Sequence, residues 1–126
     1  MEALMTKIMV VEDDIQASTF LAELLAMEGY TPIVVNESSK AISMADATHP
    51  DAFLLDLMMP DPDGFKVCRT LRSNTRFIET PIIIITAMDD MDSRIVAYGA
   101  GANDYVVKPF HIEELASKLK NLLATQ

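Results

Sequence analysis

Residues 81–85 read Pro-Ile-Ile-Ile-Ile and lead into Thr86, the most β-branched run in the chain and its clearest strand signal. Outward from it, two more short apolar runs carry the same reading. Ile8-Met9-Val10-Val11 is continuous, as expected of a strand covered on both faces. Ala52-Phe53-Leu54-Leu55 stops at Asp56. Thr31–Val35 and Tyr105–Val107 complete a set of five strands.

Segments of helical period separate them. Residues 15–28 place Phe20, Leu21, Leu24, Leu25 and Met27 on a broad apolar stripe, and Gly29 closes the helix. Ser38 or Ser39 is expected to cap a short helix ending near Ala47, and Asp63 to cap one over Gly64–Arg72. A weaker helix is predicted over Asp90–Ala100, where Gly99 costs about 1 kcal/mol relative to Ala. The last helix runs from His111 to Leu123, with Ile112, Leu115, Leu119 and Leu122 on one face. Strict alternation of strands and helices predicts a parallel sheet with helices on both sides.

Composition narrows the functional classes. The 126 residues suit one domain, and half of them are hydrophobic, so an ordinary core can form. The net charge of −9, without a Lys/Arg cluster, argues against direct binding of nucleic acid. One cysteine, Cys68, excludes an internal disulfide; with Phe65 and Leu71 at helical spacing it reads as a buried structural thiol. No apolar run approaches the ~20 residues of a membrane span, and Met1–Lys7 lacks the apolar stretch of a signal peptide. A cytoplasmic location and no membrane partner are expected.

The strand ends hold the chemistry. In open parallel sheets ligands bind where strands terminate, near the reversal of strand order. Here Glu12, Asp13 and Asp14 follow the first strand, Asp56 the third, Thr86 the fourth and Lys108 the fifth. Two like charges ~4 Å apart repel by about 4 kcal/mol at an effective dielectric of 20, so these carboxylates call for a cation or a retained proton. Mg²⁺ suits an all-oxygen site that leaves room for water and phosphate. An Asp beside it can attack phosphorus, with Lys108 neutralising the transferred group and Thr86 bonding a phosphoryl oxygen.

Val11-Glu12-Asp13-Asp14, Asp56 through Gly64, Thr86-Ala87 and Tyr105 through Phe110 resemble the marker segments of response-regulator receiver domains. Each piece alone is weak; four in order on a five-fold β/α alternation are specific. The resemblance runs from about Lys7 to Leu123, so residues 1–126 are expected to form one receiver domain. It implies a doubly wound, flavodoxin-like α/β fold with strand order 2-1-3-4-5 and five helices. It also implies phosphotransfer from a histidine kinase or phosphotransfer protein onto Asp56, with Mg²⁺ (or Mn²⁺) held by Asp13, Asp56 and the Met58 carbonyl, and Glu12 in the outer acidic pair. Lys108 would contact the phosphoryl group, and its bond to Pro109 resembles the family's cis peptide. Thr86 and Tyr105 match the switch pair. A downstream effector or output domain would read the face formed by the 90–100 helix, the fifth strand and the last helix. Such a domain is a phosphoacceptor of limited self-catalysis rather than an enzyme. Ser117 stands where receivers of winged-helix regulators usually carry Arg.

Plainer readings stand beside these. Asp13 or Asp14 could cap the first helix, Asp56 could serve the turn before Pro60, and Tyr105 could be an ordinary strand aromatic. His49 and His111 lack partners at metal spacing and read as surface residues. Met58, Met59, Met88 and Met91 read as flexible apolar filling. The alternative is that Met58 and Met88 restrict water and slow loss of the phosphoryl group. Two rivals stand beside this reading. An aspartyl-phosphate hydrolase of the haloacid-dehalogenase type would need a second Asp where Met58 stands. A docking receiver would work without phosphorylation. A flavin mononucleotide binder is set aside, because Glu12–Asp14 would repel its phosphate.

Overall fold

The computed structural model describes residues 5–125; the start of the Met1–Lys7 segment and Gln126 lie outside the described residues. Strands β1 (Lys7–Val11), β2 (Thr31–Val35), β3 (Ala52–Leu55), β4 (Ile82–Thr86) and β5 (Asp104–Val107) alternate with helices α1 (Ile15–Met27), α2 (Ala41–Thr48), α3 (Gly64–Arg72), α4 (Met91–Gly99) and α5 (Ile112–Ala124). All pairings are parallel, in the order β2-β1-β3-β4-β5. This is the parallel sheet with helices on both faces that the alternation predicts, in the doubly wound order 2-1-3-4-5 that the resemblance implies.

The period of two along each strand divides the core in two. Met9, Val11, Phe53, Leu55, Ile82 and Ile84 pack with α2, α3 and α4 residues such as Ala45, Val67, Leu71 and Ala97. Ile8, Val10, Leu54, Ile83, Ile85 and Val106 face the other way, onto Leu21 and Leu25 of α1 and Leu115 and Leu119 of α5. Cys68 lies in the first cluster, where burial pushes its thiol up to about 11, so it is a packed and unreactive group. Among the described residues no helix is long and apolar enough to cross a membrane.

Several local expectations change. The α1 stripe is narrower than its composition suggests: Leu21 and Leu25 are buried, whereas Phe20 is 58% and Met27 81% exposed. Neither Ser38 nor Ser39 caps α2; a 3₁₀ turn, Ser38–Lys40, precedes it, and the Ser38 hydroxyl donates instead to the Pro60 carbonyl at 3.1 Å. Strand β4 begins at Ile82, whose N–H donates to Asn103 Oδ1. Gly99 is the last residue of α4, where its freedom costs the helix interior little. A second 3₁₀ turn, Thr75–Phe77, sets Phe77 edge-on against Phe53 at 5.4 Å between ring centres. Its position follows from Arg72, which donates to the carbonyls of Phe77, Thr80 and Gly101. Asp63 caps α3 as expected, accepting from Lys66 N–H at 2.9 Å. His49 and His111 are exposed.

Candidate functional site

Parallel register brings the reactive side chains to one edge of the sheet. Val11 pairs with Leu55, and Asp56 N–H donates to the Val11 carbonyl at 3.1 Å, so Glu12 and Asp56 leave adjacent strands side by side. On the far side of β3, Thr86 ends β4, and Lys108 N–H donates to its carbonyl at 2.8 Å. Four residues spread over 97 positions of sequence thereby meet at the C-terminal ends of β1, β3, β4 and β5.

Lys108 joins the two carboxylates. Its ammonium donates to Glu12 Oε1 at 2.7 Å and to Asp56 Oδ2 at 3.0 Å. Asp56 Oδ1 accepts from Met58 N–H at 3.0 Å. Burial raises Asp56, but hydrogen bonds from Glu12, Met58 N–H and Lys108 outweigh it and hold the carboxyl below its usual range. Burial instead pushes Glu12 up to about 7, reinforced by the neighbouring Asp56 and only partly offset by Lys108. The pair therefore keeps its negative charge on Asp56, the state a nucleophile requires.

The acidic run after β1 divides into three tasks. Glu12 is 3% exposed and faces inward. Asp14 caps α1, accepting from Ala17 N–H at 3.1 Å, and its own N–H donates to Glu12 Oε2 at 3.0 Å. Asp13 is exposed and takes no part in the cap. The plain capping role thus falls to Asp14, and Asp13 is left to face an open cleft of about 230 Å³ lined also by Asn36, Ser38, Pro60 and Asp61. Among the described residues no three acid, His or Cys side chains converge into a protein-only metal cage. Mg²⁺ does not need one, since it binds through one or two carboxylates and retains water. The donors at hand (carboxylates of Asp13 and Asp56, the backbone beside Met58) are all hard oxygens, which fits that ion.

Thr86 is fully buried, and its hydroxyl accepts from Met88 N–H at 3.4 Å, a long contact. The Tyr105 hydroxyl donates to the Met88 carbonyl at 2.8 Å, so both expected switch residues meet the same backbone unit. Tyr105 is 3% exposed, and the Arg94 guanidinium covers its ring at 4.7 Å while donating to Asp89 at 2.8 Å. Arg94 carried no signal in the sequence, because it reaches the ring on β5 from the neighbouring helix α4. The four loop methionines separate: Met59 is buried and Met88 packs against the core, whereas Met58 and Met91 are exposed and fill nothing. Gly64, the first residue of α3, sits against the Asp56 backbone, where any Cβ would overlap the Asp56 carbonyl and Leu57 Cα. The Lys108–Pro109 bond is cis, as the resemblance implies, and Asp61–Pro62 is cis as well.

Fold and edge chemistry together define a doubly wound parallel domain with a lysine-bridged acidic crown at its switch point. Residues 8–120 match the model of the response regulator receiver domain, and the chain belongs to that family. It is 40% identical over 117 residues to the response regulator MprA of Mycobacterium ulcerans (strain Agy99), a match that takes in 93% of the chain and 50% of that protein. It is 39% identical over 123 residues to the probable transcriptional regulator ycf27 of Cyanophora paradoxa, covering 98% of the chain and 50% of the relative. The chain thus spans about half the length of the curated relatives it matches. Among solved structures, the BeF3-activated N-terminal receiver domain of Klebsiella pneumoniae RstA superposes with a TM-score of 0.88 at 31% identity, over 94% of this chain and 98% of that one. Vibrio cholerae chemotaxis protein CheY4 gives 0.89 at 25% identity, over 94% and 99%.

Proposed function

We propose that the chain is a phosphorylation-controlled switch that accepts a phosphoryl group on Asp56 and in response alters what binds its α4–β5–α5 face. The observation that carries this is the state of Asp56: anionic, at a strand end, held by Lys108 Nζ at 3.0 Å and by the Met58 amide. Asp13, Asp56 and the Met58 carbonyl would hold Mg²⁺, with Glu12 behind them. When bound, that ion neutralises charge on the phosphoryl oxygens. Asp56 Oδ attacks phosphorus as the donor's leaving group departs, Lys108 stabilises the equatorial oxygens, and Thr86 receives one of them by hydrogen bond. The Thr86 hydroxyl then leaves Met88 N–H, and Tyr105, tied to the carbonyl of the same residue, follows.

The donor would be a histidine kinase or phosphotransfer protein, and the reader an effector protein or an output domain. The chain is read as one receiver domain that is a phosphoacceptor rather than an enzyme with turnover, working in the cytoplasm. Intact mass after incubation with a small-molecule phosphodonor tests the reading. A single Mg²⁺-dependent phosphoryl adduct, absent in Asp56→Asn and abolished by chelator, is expected. No adduct from either the donor or a kinase would favour docking without phosphorylation.

A further inference from the structure

Asn36 stands one residue beyond β2 and had no role in the chemistry above. Its side-chain amide donates twice, to the Glu12 carbonyl at 2.8 Å and to Ser18 Oγ at 2.9 Å. Ser18 is 1% exposed and donates in turn to the Ile15 carbonyl in the first turn of α1. Beside it, Glu12 N–H donates to the Val35 carbonyl at 3.1 Å. One short side chain therefore ties the end of β2, the acidic run and the start of α1 into a single unit.

That unit is the frame from which Asp13 is presented. Its neighbours are already committed: Glu12 through its carbonyl, its N–H and its carboxylate, Asp14 through its cap and its own N–H. Between them Asp13 is exposed on the wall of the cleft that Asn36 also lines. Backbone held on both sides limits where the Asp13 carboxylate can go, and a cation that demands near-ideal octahedral geometry rewards that restriction.

We infer that Asn36, with Ser18 behind it, is a positioning residue that sets the affinity of the acidic edge for Mg²⁺ by clasping the backbone on either side of Asp13. This rests on the metal reading of the site proposed above. Asn36 touches neither Asp56 nor Lys108 by hydrogen bond, so its loss leaves the phosphoacceptor and its cation in place.

The test is direct Mg²⁺ binding by calorimetry on the full chain, without phosphodonor, paired with hydrogen exchange of the Glu12 and Asp14 amides in the metal-free protein. Asn36→Ala should raise the Mg²⁺ Kd about fivefold, the size of one net hydrogen bond, and speed exchange at both amides. Ser18→Ala should shift both readouts the same way by less, because the Glu12 carbonyl bond survives. Thermal melting identifies any variant that is simply less folded, and Asn36→Ser, short but able to donate, should recover part of the affinity. Faster exchange with an unchanged Mg²⁺ Kd would overturn the inference, as would unchanged exchange. If the unsubstituted chain takes up no Mg²⁺, the metal reading of the site fails, and with it the role given to Asn36. Exchange would then still show whether the clasp exists.

Discussion

Lys108 Nζ lies 2.7 Å from Glu12 Oε1, closer than its 3.0 Å to Asp56 Oδ2. The tighter bond goes to the carboxylate that is more deeply buried and harder to ionise. Lys108 thus bridges two acids of unequal character, Glu12 raised by its burial and Asp56 held below its usual range.

Replacing Lys108 by Met should therefore destabilise the fold by about 2 kcal/mol at pH 8, since Glu12 loses its charged partner in a site shielded from water. Without the ammonium, Glu12 holds its proton more tightly. A group whose folded pKa is raised favours the folded state at low pH, so the deficit should shrink as pH falls through 7. Urea melts at pH 6 and pH 8 measure this, and an equal deficit at both would count against the pairing.

Mg²⁺ affinity should depend on pH over the same window. With Glu12 at about 7, its protonated form dominates below that pH and the local negative charge that attracts the ion falls. Affinity should be flat above pH 8 and decline below pH 7, by at most about tenfold per unit. Glu12→Gln should abolish the slope, and calorimetric titrations at three pH values decide.

Arg94→Ala should loosen Tyr105 without touching Asp56. The guanidinium over the ring and its bond to Asp89 close the outer side of the tyrosine. In fluorotyrosine-labelled protein, the Tyr105 resonance should become more accessible to a soluble relaxation agent, with melting temperature almost unchanged. Arg94→Lys should fall between, lacking the planar stack. Identical accessibility in all three would mean that the contact does not hold the ring.

Gly64→Ala should cost about 1–3 kcal/mol by overpacking, because the added methyl meets backbone that cannot rotate away. The same push falls on the Asp56 peptide, so phosphorylation should slow as well. Denaturant melts and adduct formation rates report the two effects separately.

Met88 is partly buried against the core cluster that includes Tyr105, and its backbone bonds the Thr86 and Tyr105 hydroxyls, whereas Met58 is exposed and meets Asp56 through its amide. Polar substitution of Met88 should speed hydrolysis of the phosphorylated chain by admitting water, while the same change at the exposed Met58 should alter it little. The larger change is expected at Met88, the more enclosed of the two. Decay of the adduct after donor removal measures it.

Most of the fold was legible because it rests on short-range rules. Continuous apolar runs specify strands buried on both faces, and helical periods between them specify the crossovers. Asp63 announced its cap, and the polar residues of the candidate site announced themselves by ending those runs. Where the reading slipped, a tertiary partner outweighed local preference. Ser38 is a good cap former, yet its hydroxyl serves Pro60. Phe20 and Met27 are apolar, yet α1 meets the sheet through a stripe only wide enough for Leu21 and Leu25.

By itself, then, the sequence determined the order of elements, the two-faced sheet and the set of polar groups at its C-terminal edge. Each of these follows from residue type and spacing along the chain. Which acid is buried, which one caps and which one faces the cleft was decided only by the tertiary structure. Glu12, Asp13 and Asp14 are consecutive and chemically alike; Lys108 from just beyond β5 and Asn36 from just beyond β2 give them different surroundings. Burial and partner geometry, which no spacing rule encodes, push one carboxyl up toward its protonated form and hold Asp56 below its usual range.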